Sequence, residues 1–88
     1  MKTAIGVVIN LEVIMETKYD WSNVPKEVQW IVTDAIYSGG WGYTEKPILM
    51  STYGSWFAYG NNKLYGVVAQ GYAGNWQDSL EERPDEYK

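Results

Sequence analysis

Between residues 53 and 66 the chain reads YGSWFAYGNNKLYG, with aromatic side chains crowded on either side of a turn. This stretch constrains the fold more than any other. Successive side chains on a strand point to opposite faces, so a run that is apolar at both odd and even positions must be covered from both sides. An antiparallel sheet ordinarily keeps one polar face in water. Residues 47 to 59 and 63 to 70 read as two strands joined by a tight turn at Asn61 and Asn62, because Asn tolerates a positive φ. A two-residue turn pairs Tyr59 with Leu64, Ala58 with Tyr65, Phe57 with Gly66 and Trp56 with Val67. One face then carries Tyr53, Phe57, Tyr59, Leu64 and Val68, and the other carries Trp56, Ala58, Tyr65, Val67 and Ala69. Neither face is polar.

The preceding segments are read as the cover. From Ala4 to Glu16, Ile5, Val7, Ile9, Leu11, Val13 and Met15 alternate with a second set that includes Asn10, Glu12 and Glu16, which is strand patterning. At full extension such a strand would outrun a domain of this length, so a bend is expected near Asn10. In SNVPKEVQWIVTDAIYSGG, Ser22 or Asn23 can cap a helix, Pro25 and Glu27 suit its first turn, and Gly39 and Gly40 suit its end. The spacing of Val24, Val28, Ile31 and Ala35, with Val32 and Ile36 beside them, predicts a helix from about 24 to 38. Its outer side carries Lys26, Thr33 and Tyr37, with Trp30 as a lid or contact residue. The expectation is one α+β domain over residues 1–77 in the order β-α-β-β, an antiparallel sheet with one helix packed across one face. An acidic, solvated tail with a helical turn around Leu80 follows over 78–88.

Composition narrows the chemistry. The chain has no Cys and no His, which removes disulfides, thiolate nucleophiles, zinc sites built on nitrogen or sulfur, and imidazole acid–base catalysis. Net charge is −4, and Asp78, Glu81, Glu82, Asp85 and Glu86 supply much of the acidity. The lysines are scattered and Arg83 lies among carboxylates, which argues against direct nucleic-acid binding. No apolar run is long enough to span a membrane and the first residues lack a secretory pattern, so a soluble, cytoplasmic protein is expected. The glycines form neither GxGxxG nor GxxxxGK[ST], so no phosphate loop is read; Gly54 and Gly66 are read as strand or bulge sites. Glu12 and Glu16 on one strand, and Glu27 and Asp34 two helical turns apart, are not spaced as an acid–base pair. No enzyme, cofactor or metal site is expected.

The aromatics remain: five Trp, eight Tyr and one Phe. At roughly 150 to 250 Å² each they exceed what one helix on one sheet can enclose, and Trp and Tyr are the side chains that anchor interfaces. The expected contact set is Trp41, Tyr43, Tyr53, Trp56, Tyr65, Tyr72 and Trp76, with Trp56 and Tyr65 as anchors. The function expected is a small, non-catalytic protein that binds and modulates or inhibits a larger macromolecule, of the sort encoded by viruses and mobile elements. The acidic tail would steer it to a basic protein partner. Pairing of the uncovered sheet as a homodimer is a second way to hide the surface. The alternative is a small-ligand protein that stacks a nucleotide base or sugar on Trp and Tyr, with Asn61, Asn62, Gln70 or Asn75 supplying hydrogen bonds.

Overall fold

The structure, a computed structural model, describes residues 17–88. The strand expected over residues 4 to 16, with its bend, lies outside the described residues. The described chain is built from short strands: β1 (Trp30–Val32), β2 (Gly40–Tyr43), β3 (Ile48–Met50), β4 (Ser55–Phe57), β5 (Leu64–Ala69) and β6 (Glu81–Glu82). Single 3-10 turns lie at Ser51–Tyr53, Trp76–Asp78 and Asp85–Tyr87. A four-stranded antiparallel sheet runs in the order β5-β2-β1-β6, and β3 pairs with β4 in a separate hairpin.

This corrects the expected α+β architecture. Among the described residues there is no α-helix, and the segment read as one, 24 to 38, is a turn followed by β1 and a loop. The reason lies in which residues it buries. Val28, Ile31 and Val32 have no exposed surface, whereas Ile36 is 75% exposed and Ala35 and Tyr37 also face water. A helix would have buried Ala35 and Ile36 on the same stripe as Val28 and Ile31. The β-branched run Ile31-Val32-Thr33 favours extended backbone, and it finds partners on both edges, Gly42 and Trp41 on one side and Glu81 on the other. Gly39 and Gly40 therefore end a strand–strand loop rather than a helix.

The expected hairpin is also re-paired. Phe57 lies opposite Ile48 and Trp56 opposite Leu49, while β5 pairs with β2, setting Gly66 against Gly42 and Val67 against Trp41. The Asn62 side chain contributes to this exchange: it accepts from the Glu45 amide at 2.9 Å and donates to the Glu45 carbonyl at 2.8 Å. The Thr44 amide donates to the Lys63 carbonyl at 3.0 Å. The chain entering β5 is thus tied to the end of β2. The register shifts between Gly42 and Tyr43, and Gly66 takes up the bulge with φ 85°, a backbone region that glycine enters without steric cost.

The sheet has two apolar faces, and both receive cover. Ile31, Gly40 and Gly42 share one face, where Tyr19, Trp21, Val24 and Val28 form a core with Ile31, and Val68, Ala69 and Tyr72 pack against it. Gly42 permits the close approach, since a Cβ there would stand 2.9 Å from a Val28 methyl. Trp30, Val32, Trp41 and Tyr43 share the other face, on which Trp56 from β4 packs together with Ala58, Trp76 and Leu80. A looped segment covers one side and a hairpin the other, in place of a helix.

Polar contacts bind the C-terminal segment along β1. The Ser79 hydroxyl accepts from the Thr33 amide at 2.8 Å and donates to the Thr33 carbonyl at 3.0 Å, reproducing with a side chain what another strand residue would offer. The Arg83 amide donates to the Gln29 carbonyl at 2.7 Å. Ser79 and Arg83 are buried, and Glu81 accepts from the Trp21 indole at 2.8 Å. The solvated tail expected over 78–88 is thereby corrected: its first half is part of the sheet. The expected turn near Leu80 falls slightly earlier, at Trp76–Asp78, capped by the Asn75 side chain.

Candidate functional site

A cavity of about 340 Å³ opens between β2, β4, the start of β5 and the loop that joins β1 to β2. Its lining is Asp34, Tyr37, Trp41, Tyr43, Ser55, Trp56, Phe57 and Leu64. The topology explains its place. Alternation along β2 sends Trp41 and Tyr43 to the face that β4 covers, and Trp56, at the centre of a three-residue strand, points back at them. Trp76 and Leu80 fill part of this layer. Where Leu64 begins β5 the cover stops, and the cavity lies there.

Asp34 is held in place by the hairpin. Its carboxylate accepts from the Ser55 hydroxyl and from the Trp56 amide, both at 3.0 Å. The Ala35 amide donates to the Gly54 carbonyl at 3.0 Å, so loop and hairpin are joined by three bonds in sequence. Tyr43 and Trp56 are buried, 5% and 7% exposed, while Tyr37, Phe57 and Leu64 are exposed and form an apolar rim. The Tyr43 hydroxyl donates to the Trp56 carbonyl at 3.3 Å. Burial raises the Tyr43 pKa above its ordinary value of 10.0, and the negative charge of Asp34 raises it further.

Among the described residues the lining contains no Lys or Arg. Elsewhere the chain sets its own cations over aromatic rings: Lys18 over Tyr72 at 5.7 Å, Lys46 over Trp30 at 5.8 Å and Arg83 over Trp21 at 5.0 Å. Among the described residues the ion pairs join Lys88 to Glu82 and Asp85, and none involves Asp34. The indole N–H groups of Trp41 and Trp56 are buried without an acceptor among the described residues.

Of the seven aromatics singled out from sequence, the cavity brings together Trp41, Tyr43 and Trp56. Trp76 packs on the same layer without lining the cavity. Tyr72 belongs to the opposite face, 6.5 Å from Tyr19. Tyr53 is exposed in its 3-10 turn with its ring 6.0 Å from Phe57, and Tyr65 is exposed at the bulge. Of the polar residues expected to contact a ligand, two have structural tasks: Asn62 ties two loops together, and Asn75 caps a turn by accepting from the Gln77 amide at 2.9 Å.

Asp34, Tyr37, Ser55, Phe57 and Leu64 were not singled out as site residues. Read as a helix, 24 to 38 puts Tyr37 on the outer side and leaves Asp34 a solvated charge, away from the strand that carries Ser55 and Trp56. The available signal was the sequence TDAIYSGG itself, whose Asp, Ser and paired Gly suit a loop as well as a helix end. Among the described residues no cluster of three or more Asp or Glu is placed to hold a metal ion. Nor, among them, is any helix long and apolar enough to cross a membrane. Comparison with protein-family profiles, with curated proteins and with solved structures finds no match to this chain.

Proposed function

We propose that this protein is a non-catalytic binding module that grips a larger protein and modulates or inhibits it. The contact is made by admitting one of the partner's side chains to the Trp41–Trp56 cavity. The observation that carries this reading is the cavity's construction: three of the aromatics expected to make contacts form its floor and wall, beneath a rim of exposed Tyr37, Phe57 and Leu64. Its volume is at the small end of the roughly 300 to 1,000 Å³ typical of ligand pockets, a size suited to one side chain. Buried aromatic pockets surrounded by apolar surface are where binding energy concentrates in protein interfaces. The hydroxyl–carboxylate contact at the cavity, Ser55 with Asp34, is read as structural, because the same carboxylate also holds the Trp56 amide and so fastens the loop to the hairpin. A cytoplasmic setting is part of the reading, in keeping with a fold that uses no cysteine. The source expected for so compact a modulator, a virus or mobile element, is carried with it.

The test compares the unaltered chain, a rim variant with Tyr37→Ser and Phe57→Ser, and a remote variant with Tyr59→Ser and Tyr87→Ser, each immobilised and exposed to the same lysate. A protein retained by the first and third but lost from the second supports the reading. Equal retention by all three, with the rim variant folded, removes the cavity from the contact.

A further inference from the structure

We infer that the cavity accepts a methylated ammonium group, that of a methyl-lysine side chain on the partner, with Asp34 as its counter-charge and Trp41, Tyr43 and Trp56 as its aromatic wall. The inference rests on the binding-module reading above and names the group that the module recognises.

Three observations converge on a cation. Among the described residues Asp34 is the one charged side chain lining the cavity, and it has no ion-pair partner there. Its two hydrogen bonds leave a lone pair on each oxygen for a further donor. The walls are aromatic rings, whose negative faces attract a cation within about 6 Å of the centroid, most strongly when water is excluded. Three other aromatic rings in this fold already have a Lys or Arg of the chain above them, whereas among the described residues none lines the cavity.

The remaining lining decides between ligand classes. An anion would meet an uncompensated carboxylate. A sugar would need converging donors as well as the Asp34 acceptor, but the Trp41 and Trp56 indole N–H groups are buried, the Tyr43 hydroxyl donates to the Trp56 carbonyl and the Ser55 hydroxyl to Asp34, which leaves the Tyr37 hydroxyl as the free donor of the described lining. An unmodified lysine head is compact and strongly hydrated; methyl groups reduce that hydration and give the cation an apolar surface that matches the walls. The rim of Tyr37, Phe57 and Leu64 then offers apolar surface for the methylene stem.

The experiment titrates the full chain with N-acetyl-dimethyllysine amide, its neutral isostere with carbon in place of the ammonium nitrogen, and the unmodified lysine amide, following Trp fluorescence and indole N–H resonances. Saturable binding of the dimethyl compound is expected, about tenfold tighter than either of the other two, the ratio given by one desolvated cation–aromatic contact. Asp34→Asn, which keeps the acceptor for the Trp56 amide, should weaken it roughly threefold to fivefold and leave the isostere unchanged. Equal affinity for dimethyl compound and isostere overturns the inference in the unaltered protein, whether or not the variant folds. Absence of a saturable response overturns it too. If the rim variant loses its partner while the dimethyl compound fails, the inference alone falls. If partner retention ignores the rim, the binding-module reading falls.

Discussion

Arg83→Met tests the claim that a buried arginine, rather than a helix, organises the segment before β1. The guanidinium donates through Nε to the Val28 carbonyl at 2.8 Å, through Nη2 to Pro25 at 2.6 Å and Val24 at 3.4 Å, and through Nη1 to Tyr87 at 2.9 Å. It also lies 5.0 Å from the Trp21 ring. Arginine suits this task because its planar fork presents several donors in fixed directions, which the single ammonium of lysine cannot do. Replacing a buried charge with methionine can stabilise a protein when the partners are replaced as well. Here the partners are backbone carbonyls and remain. Val28 is fully buried, so its carbonyl would be left without a donor, at about 1 to 3 kcal/mol. The short bond to Pro25 is charge-assisted and worth a similar amount, although the Pro25 carbonyl keeps a second donor in the Val28 amide. A total near 3 kcal/mol follows, and at about 4 to 8 °C per kcal/mol for a domain of this size the melting temperature should fall by roughly 12 to 24 °C. Arg83→Lys should recover only a minority of that loss. Urea unfolding followed by Trp fluorescence measures both. A loss below about 0.5 kcal/mol for Arg83→Met, with an unchanged m-value, would refute the reasoning.

Three further outcomes follow from the same contacts. Burial raises the hydroxyl pKa values of Tyr19 and Tyr43 above 10.0, so the folded state holds these protons more tightly than the unfolded chain. Their contribution is intact below pH 10 and is lost as pH climbs through the raised values; urea midpoints should fall there, and less steeply in Tyr19→Phe and Tyr43→Phe. Midpoints that stay level up to about pH 11 would contradict this. Trp21→Phe removes the indole donor to Glu81 and should cost about 3 kcal/mol, whereas Trp41→Phe removes an indole N–H that has no acceptor among the described residues and should cost about 1 kcal/mol or less. Similar losses at the two sites would undo that distinction. Gly42→Ala would bring a Cβ within 3.0 Å of methyls of Val28 and Val68 and should destabilise by about 1 to 3 kcal/mol, read as a shifted urea midpoint; a neutral result would mean that Val28 and Val68 do not pack tightly over β2 at Gly42.

How far the fold was legible depends on which interaction decides each element. The demand for cover on two sides was legible around 53 to 69, because it follows from side-chain alternation alone, although the faces differ from those expected. Strand pairing was not. The same residues fit a local hairpin through Asn61 and Asn62, and what selects β2 as the partner of β5 is a set of contacts between Asn62, Glu45, Thr44 and Lys63. Those residues lie 17 to 19 positions apart, and no local propensity encodes them. The segment 24 to 38 misleads for a related reason. Val24, Val28 and Ile31 are spaced as on a helix and are indeed buried together, but they reach one core through a turn and a strand. Spacing reports that residues share a face and leaves open which backbone brings them there.

The cavity was half legible for the same reason. Aromatic identity marked Trp41, Tyr43 and Trp56, since large rings must pack somewhere. The carboxylate that gives the cavity its charge could not be found that way, because Asp34 is ordinary in sequence and acquires its character from position. The β1–β2 loop brings it beside β4, and two donors from Ser55 and Trp56 keep it there. Those donors also make the site a piece of the fold. Removing the carboxylate altogether, as in Asp34→Ala, would leave the Trp56 amide without its acceptor and loosen the hairpin that carries Trp56, so binding and stability would fail together. Asp34→Asn separates them, because the amide oxygen can accept the same bond while the charge is gone. A cavity whose charge and shape depend on one residue should therefore lose cation selectivity in the second variant before it loses its aromatic walls.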